Sequence, residues 1–395
     1  MTDVVLRGLA GLAVVALALV LLRSPGSGAP AGAAQAAGPR DWTWDLPKGF
    51  PQPRVPKGSP MSEARVQVGR WLFHDKRLSA NRRQSCATCH VQSLAFTDGR
   101  ATAVGSTGQA HPRNTPSLGN VAYAPTLTWA NPALVTLERQ VEVPLFGTDP
   151  VELGLTDRTK PVVLKRLRGD ARYRRMFARA FPRRSQPITW PAIVQSLAAF
   201  QRSLISGDSR YDRYVARKGR LTQSERRGAD LFFGERAECF HCHGGFTFSD
   251  QVTYAGAPRE RIPFHNTGLF NTGGTGAFPE PNRGVFELTG RPEDMGAFRA
   301  PSLRNVAVTA PYMHDGSMRT LREVVDFYAA GGRVIPDGPH AGDGRASPFR
   351  DPLVAAITLG EQDRRDLVAF LTTLTDRGFL TDPRFSDPFR PSRRR

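Results

Sequence analysis

The sequence predicts a mainly α-helical protein made of two consecutive domains with long loops. Apolar residues recur at helical spacing near the end of each half, around residues 193–204 and 367–374, whereas few segments alternate as strands do. The chain also has 38 glycines and 32 prolines among 395 residues, which implies much turn and loop structure.

The two halves of the chain share a pattern of motifs. Each half has a glycine three residues before a Leu-Phe pair, followed further on by C-x-x-C-H. The two copies are Gly69-x-x-Leu72-Phe73 with Cys86-Ala-Thr-Cys89-His90, and Gly228-x-x-Leu231-Phe232 with Cys239-Phe-His-Cys242-His243. We therefore expect two domains of one type, 39–215 and 216–395, after an N-terminal segment at 1–38. The segment 244–299 is rich in glycine, proline and asparagine and is expected to lack regular structure.

The segment 1–38 is predicted to be a signal peptide and linker. Arg7 precedes an apolar run at 8–22, and a small-residue stretch at 33–37 offers cleavage sites. The run is shorter than the roughly 20 residues that a membrane span needs. We therefore expect an exported, periplasmic protein, with a membrane anchor only if the leader stays uncleaved.

The balance of charged residues bears on the partner. The net charge of +18 favours an acidic partner. The sequence has no zinc-finger spacing, no aromatic RNA-binding signature and no helix-turn-helix pattern, so nucleic acid is not expected as a partner.

The two C-x-x-C-H motifs predict haem attachment. In this motif the two thiols bond to the porphyrin edge and the adjacent histidine is the proximal iron ligand. All four cysteines of the chain lie in these motifs, so none remains for a disulfide or a zinc site. A pair of thioredoxin-like sites is the alternative, but it lacks the strand–helix setting and leaves both histidines unexplained. We expect two cytochrome c-like domains, each with one covalently bound haem, held by Cys86, Cys89 and His90 and by Cys239, Cys242 and His243.

Further motifs resemble the bacterial dihaem cytochrome c peroxidase and MauG superfamily, from Cys86 to about Asp376. Besides the two haem motifs they are Ala95-Phe-Thr-Asp-Gly99, Arg113-Asn-Thr-Pro-Ser-Leu118, Leu137-Glu-Arg-Gln140, Pro150-Val-Glu152-Leu-Gly154 and Ala300-Pro-Ser-Leu-Arg-Asn-Val-Ala-Val-Thr-Ala-Pro-Tyr-Met-His-Asp-Gly316. Within the superfamily the chain is most similar to MbnH-like enzymes at 129–132, 140–144 and 146–154. Such enzymes use hydrogen peroxide to oxidise aromatic side chains of a partner protein.

The resemblance implies a tyrosine ligand for the second haem. Fourteen residues after His314, peroxidases of the superfamily carry a methionine as distal ligand, whereas MauG-like enzymes carry a tyrosine. This chain has Tyr328 there. A phenolate stabilises high oxidation states of iron, where a thioether favours the reduced state. We therefore expect Tyr328 on the iron and His314 in the same haem pocket; a tyrosine on an amphipathic helix face is the alternative.

For the first haem the resemblance implies an open iron that reacts with peroxide directly. Peroxidases that need reductive activation carry a distal histidine at the position of Ser106, which His111 does not match, although His111 could still swing in. Gln140 and Glu152 match family residues above this iron, and Pro144 is expected to shape the pocket. Glu152 would take a proton from bound peroxide and return it to the leaving oxygen; the alternative is a surface carboxylate.

The region between the haems supplies two further expectations from the resemblance. Trp129 matches a tryptophan that relays charge between the haems, although most tryptophans are simply core residues. Asn114, Thr309 and Pro311 match a calcium site built from an amide and backbone carbonyls, ligands suited to a hard cation. Four histidines and two methionines are expected to be structural, packed or exposed rather than iron ligands: His74, His241, His265, His340, Met313 and Met318.

The function implied is that of a MauG- or MbnH-like oxidoreductase. Hydrogen peroxide would react at the His90 haem, two oxidising equivalents would be stored as a bis-iron(IV) state, and an aromatic residue, tryptophan first, of an exported partner would be oxidised. The partner could be a copper-binding protein. The first alternative is a conventional peroxidase that takes electrons from a small cytochrome or copper protein. The second is a non-catalytic electron carrier with both irons six-coordinate.

Overall fold

Helices dominate the regular structure, as the sequence predicts. The computed structural model describes residues 42–258 and 262–390, so the predicted leader at 1–38 lies outside the described residues. The described helices are α1 (Glu63–His74), α2 (Cys86–Cys89), α3 (Leu137–Phe146), α4 (Lys160–Gly169), α5 (Ala171–Ala180), α6 (Trp190–Arg202), α7 (Arg210–Val215), α8 (Gln223–Phe233), α9 (Phe286–Thr289), α10 (Leu321–Ala330), α11 (Glu361–Thr372) and α12 (Arg377–Thr381). None of them is long and apolar enough to be a membrane span.

Two helices confirm the periodicity seen in the sequence, since α6 and α11 cover the two predicted apolar stretches except for their last residues, Leu204 and Leu374. Regular strands are confined, in the part of the chain that is described, to the antiparallel pair β1 (Val334–Ile335) and β2 (Gly342–Asp343). Within the described residues of 244–299, the only helices are α9 and a 3₁₀ helix at Pro292–Asp294. Most of this segment is therefore irregular, as predicted, although the sequence did not predict these two short helices.

Capping side chains fix where the first helix of each half begins. The hydroxyl of Ser62 accepts the backbone N–H of Arg65 at 3.3 Å at the start of α1. At α8 the carboxylate of Glu225 accepts the backbone N–H of Thr222 at 2.8 Å, while the Thr222 hydroxyl accepts the N–H of Glu225 at 3.3 Å. Each bond satisfies an N–H group that would otherwise lack a partner at a helix start.

The repeated glycine of the sequence marks a close helix crossing in each half. A methyl group added to Gly69 on α1 would lie 2.7 Å from Cβ of Phe200 and closer still to a backbone carbonyl of α6. A methyl group on Gly228 of α8 would lie 2.8 Å from Cβ of Phe370 and closer still to the carbonyl of Asp366 on α11. Only a residue without Cβ permits these backbones to approach so closely. The repeated glycine thus permits the same close helix packing in both halves.

The helix crossings organise separate hydrophobic cores. The first core contains Leu72 and Phe73 of α1 with the buried face of α6, and the second contains Leu231 and Phe232 of α8 with α10 and α11. A third cluster includes Phe298, and Trp129 packs against it.

The C-terminal segment returns to the first core. Phe379 of α12 and Phe385 are buried there, and the Gln92 side chain donates to the backbone carbonyls of Phe379 and Asp382 at 3.1 and 2.9 Å. All described residues belong to one compact unit. The domain boundary near residue 215 therefore stays a prediction.

Candidate haem sites

The first C-x-x-C-H motif lies on α2 and the residue that follows it. The Thr88 hydroxyl accepts the backbone N–H of Ser85 at 3.0 Å, which fixes the start of this short helix. His90 Nδ1 lies 2.7 Å from the carbonyl oxygen of Phe96, so Nδ1 carries the proton and Nε2 is left as a metal ligand. Burial lowers the pKa of His90, which favours the neutral imidazole. Cys86 and Cys89 are not joined to each other. Two thiols beside a neutral imidazole suit an attached haem.

The second motif is built in the same way around a 3₁₀ turn at Cys239–His241. His243 Nδ1 lies 3.1 Å from the carbonyl of Pro301 and 3.3 Å from that of Phe248, which again leaves Nε2 for a metal. Burial lowers the pKa of His243. A cavity of about 280 Å³ adjoins the motif and is lined by Cys239, Cys242 and His243.

Tyr328 lines this same cavity from α10. Its hydroxyl makes no hydrogen bond to any residue that the structure describes. Burial first, and then the nearby Cys242 and Cys239, raise the pKa of Tyr328 above its ordinary value. A cation in the cavity would reverse this shift, because a metal ion favours the deprotonated form of its ligand. An imidazole nitrogen and a phenol oxygen at one cavity are a donor set that fits haem iron.

The cavity also holds polar atoms that suit the haem propionates, and sequence reasoning missed them. Arg299 lines the cavity; its Nη1 donates to the carbonyl of Thr126 at 3.1 Å, while Nε is buried without a partner. Burial lowers the pKa of Arg299 to about 10. Thr247, which also lines the cavity, has a buried hydroxyl without a partner among the described atoms. A buried guanidinium needs an anion, and a haem carries two carboxylates.

His265 is held between two carboxylates beside the second motif. Its ring nitrogens lie 2.6 Å from Asp250 and 2.6 Å from Asp351, and its Nδ1 lies 4.0 Å from Cys242 Sγ. Although burial opposes it, hydrogen bonds to these aspartates raise the pKa of His265 to about 12. His265 is thus a charged structural residue at the edge of the cavity. The sequence could not reveal this cluster, because its three parts are far apart in the chain.

The residues expected above the first haem belong to α3 and the loop after it. The backbone N–H of Leu153 donates to the carbonyl of Pro144 at 2.9 Å, which folds the loop back along α3. Glu152 is half-buried. Burial first, and then the charge of Glu152, raise the pKa of Cys86, and burial, Asp98 and Glu152 in that order raise the pKa of Cys89. Burial raises the pKa of Glu152 to about 7. Gln140, one helical turn before Pro144, has a buried Oε1 without a described partner.

The loop with Ser106 and His111 lies next to Glu152. The backbone N–H of Ser106 donates to the carbonyl of Glu152 at 2.8 Å, and Ser106 lines a second cavity of about 280 Å³ together with Val151 and Gly154. The backbone of His111 is bonded to Ala103, and His111 lines neither cavity. The structure therefore brings Ser106, and not His111, to the Glu152 segment.

The residues expected between the haems form a chain of contacts. Trp129 Nε1 donates to the carbonyl of Asn114 at 2.7 Å, and the N–H of Asn114 donates to the carbonyl of His314 at 2.7 Å. The ring of His314 stacks on Phe298 at 3.7 Å. Burial lowers the pKa of His314 to about 3, and its Nε2 has no described partner. Trp129 and His314 both line the cavity of the second motif.

The proposed calcium ligands Asn114, Thr309 and Pro311 are all among the residues that line the same cavity. The amide nitrogen of Asn114 donates to the carbonyl of Arg100 at 2.7 Å, which leaves its oxygen for a cation. An amide oxygen with backbone carbonyls is a donor set suited to calcium, and the site stays a prediction.

The other histidines and methionines are hydrogen-bonded, exposed or packed against apolar side chains. His74 is half-buried and bonds the carbonyl of Phe385 at 3.1 Å, while His241 and His340 are exposed. Met313 lines the large cavity, and Met318 is buried in the third cluster.

Each half of the chain has a helix pair followed by a C-x-x-C-H motif, and one cavity is lined by both the imidazole of His243 and the phenol of Tyr328. These features are those of a dihaem oxidoreductase. Residues 63–220 match the family model described as di-haem cytochrome c peroxidase. The chain is 34% identical to the methylamine utilization protein MauG of Methylorubrum extorquens over 322 residues, which are 81% of this chain and 80% of that protein. It is 33% identical to the cytochrome-c peroxidase IdrP1 of Denitromonas iodatirespirans over 358 residues, 86% of this chain and 87% of that protein.

The chain belongs to the di-haem cytochrome c peroxidase and MauG family, as the resemblance implies, and is a peroxide-dependent oxidoreductase. Its fold is similar to the crystal structure of a MauG-like protein associated with microbial copper homeostasis. That similarity has a TM-score of 0.87 and 56% sequence identity, and covers 88% of this chain and all of that one.

Proposed function

We propose that this chain is a MauG- and MbnH-like enzyme that uses hydrogen peroxide to oxidise an aromatic residue, tryptophan first, of an exported partner protein. Two c-type haems would be attached covalently at Cys86/Cys89 and Cys239/Cys242. When bound, the haems would supply the redox chemistry and store two oxidising equivalents. The observation that carries the proposal is Tyr328, whose phenol faces the cavity of His243 without a described hydrogen-bond partner. A phenolate ligand favours oxidised iron over reduced iron.

The first site is proposed to be the place where peroxide reacts. Ser106, which cannot act as an imidazole ligand, lies against Glu152. A carboxyl with a pKa of about 7 is suited to accept a proton from peroxide and return it to the leaving oxygen. The unpaired Oε1 of Gln140 offers an acceptor that can orient the peroxide O–H.

Other residues of the chain are proposed to position and connect the two sites. Arg299 would pair with a haem propionate, and Trp129 would carry electrons between the sites. Asn114, Thr309 and Pro311 would hold one calcium ion. The predicted leader supports a periplasmic location, and a copper-binding partner is supported by the similarity to the MauG-like protein associated with copper homeostasis.

Peroxide treatment of the holoenzyme tests the proposal. The wild type is expected to form a high-valent dihaem state, followed by optical and electron paramagnetic resonance spectra. Tyr328→Phe is expected to lose that state, because the phenolate that stabilises it is gone. Tyr312→Phe is the matched control, since Tyr312 lines the same cavity but donates its hydroxyl to Val306 at 3.1 Å. An unchanged spectrum in Tyr328→Phe would contradict the proposal.

The similarity to cytochrome-c peroxidase IdrP1 favours a second candidate, a peroxidase that takes electrons from a small redox protein. This candidate predicts fast peroxide-dependent oxidation of a reduced cytochrome c and no modification of protein side chains. Mass spectrometry of an added tryptophan-containing protein distinguishes the two, because only the MauG-like reaction leaves oxidised tryptophan.

A further inference from the structure

A line of aromatic rings leads from the second haem site to the surface. The carbonyl of Phe248 lies 3.3 Å from His243 Nδ1. The Phe248 ring lies 5.7 Å from the ring of Tyr211, which lies 6.5 Å from the ring of Tyr214 on α7. Phe248 and Tyr211 pack against the second core, whereas Tyr214 is 39% exposed. An oxidisable phenol at the surface is thus connected to His243 through two ring contacts and the backbone carbonyl of Phe248.

Tyr214 has no equivalent elsewhere in the described chain. All seven tyrosines and all five tryptophans lie within the described residues, and among them only Tyr214 is exposed. Phenylalanine is much harder to oxidise than tyrosine or tryptophan, so the surface phenylalanines do not replace it. Tyr214 is therefore the aromatic side chain best placed to exchange electrons with a second protein.

The surface around Tyr214 has the composition of a docking site. Val215 is 62% exposed, and Phe233, which stacks on Tyr211 at 5.9 Å, is 39% exposed. Between residues 210 and 220 the chain has five basic residues and one acidic residue. Three of the basic residues form no ion pair with any described residue: Arg217, Lys218 and Arg220. An aromatic centre with an unneutralised basic rim is complementary to an acidic surface.

We propose that the α7 surface, defined by Tyr214, Val215, Phe233, Arg217 and Lys218, docks an acidic exported protein, and that Tyr214 and Tyr211 pass its electrons to the second haem site. This inference rests on the proposed function, because it needs the stored oxidising equivalents. It names the chemistry of the partner surface and the route that the electrons take.

The electron and proton balance of the relay is simple. Tyr214 gives one electron inward through Tyr211 and releases its hydroxyl proton to water. The resulting neutral tyrosyl radical takes one electron and one proton from the partner's aromatic residue and becomes a phenol again. Two such transfers match the two oxidising equivalents of one hydrogen peroxide, which is reduced to two waters.

Radical trapping tests the relay without any partner. The holoenzyme is treated with peroxide and a nitroso spin trap, and adducts are located by peptide mass spectrometry. The wild type is expected to carry an adduct on Tyr214, and Tyr211→Phe is expected to lose most of it. Tyr254→Phe is the matched control, because Tyr254 is half-buried and contacts no other described ring. In this variant the amount of adduct on Tyr214 should equal that in the wild type.

The high-valent spectrum is recorded in the same samples, so that failure of the proposed function can be distinguished from failure of the relay. If the wild type forms no high-valent state, the proposed function is wrong and the relay has no oxidant. If the state forms but Tyr214 carries no adduct, or carries it equally in Tyr211→Phe, the relay alone is overturned.

Peptide binding tests the docking surface. The probe is a synthetic glutamate-rich peptide with a single tryptophan, and binding is followed by fluorescence anisotropy. Arg217→Glu/Lys218→Glu is expected to weaken binding more than Arg175→Glu/Arg179→Glu on α5, which makes the same change in net charge at exposed positions. Added salt should weaken wild-type binding. Equal losses in the two double variants would show attraction by net charge alone and overturn the docking surface.

Oxidation of the bound peptide tests the relay and the docking surface together. With peroxide and a saturating concentration of the peptide, Tyr214→Phe is expected to oxidise the tryptophan of the peptide more slowly than the wild type does. An unchanged oxidation rate in Tyr214→Phe would overturn the route through α7.

Discussion

Replacement of Gly228 by alanine probes the helix crossing that supports the second haem site. The new methyl group would lie 2.8 Å from Cβ of Phe370, so α8 and α11 must separate by about 1 Å to reach an ordinary carbon contact. The carbonyl of Asp366 is closer still and demands a larger shift. That shift also disturbs the ion pair between Arg227 and the buried Asp366 carboxylate at 2.6 Å. Overpacking a core costs about 1–3 kcal/mol, and we expect the upper end of that range.

Urea denaturation of the holoenzyme, followed by circular dichroism, measures this loss in free energy of unfolding. Gly169→Ala on α4 is the matched control, because a methyl group there meets nothing within 4 Å. With no clash and less backbone freedom in the unfolded chain, Gly169→Ala should gain about 0.4–1 kcal/mol. The reasoning is refuted if Gly228→Ala is as stable as Gly169→Ala.

Three other outcomes are expected. The rate of reaction with peroxide should fall as the pH drops through about 7, because the Glu152 carboxylate is then protonated; stopped-flow spectra of Glu152→Gln should show about 10²–10⁴-fold slower reaction without that pH dependence. Arg299→Leu should lower the reduction potential of the second haem in a redox titration, since a buried positive charge is lost, whereas Arg299→Lys should shift it less. Asn114→Ala should bind calcium more weakly than the wild type by titration calorimetry, and equal affinity would remove Asn114 from the ligand set.

Local patterns in the sequence were enough to predict two of the helices, the mainly helical class and the positions of the two C-x-x-C-H motifs. Apolar periodicity located α6 and α11, and the C-x-x-C-H spacing brings each histidine next to its two thiols in one turn. The Gly-x-x-Leu-Phe repeat can be read from the sequence. The reason for its glycine is a close crossing of two helices, which depends on the packing of α1 against α6 and cannot be read from the repeat alone.

What the sequence left unpredicted depends on pairing between distant loops. Asp250, His265 and Asp351 become neighbours because the irregular segments of the second half fold around one cavity, and no spacing rule brings them together. Arg299 directly precedes a recognised motif, yet its importance comes from being buried without an anionic partner. No motif distinguishes Tyr214 in the sequence, because its importance comes from its ring contacts and its exposure.

The return of the last described residues to the first core has a consequence for biogenesis. Phe379 and Phe385 complete a core whose other members precede residue 205. If the chain is exported, as proposed, its first half crosses the membrane before Phe379 and Phe385 do, so the first core would lack these two side chains until the end of translocation. We expect Cys86 and Cys89 to be more accessible to a haem-attaching enzyme during that interval, and removal of the segment after residue 376 to destabilise the first core.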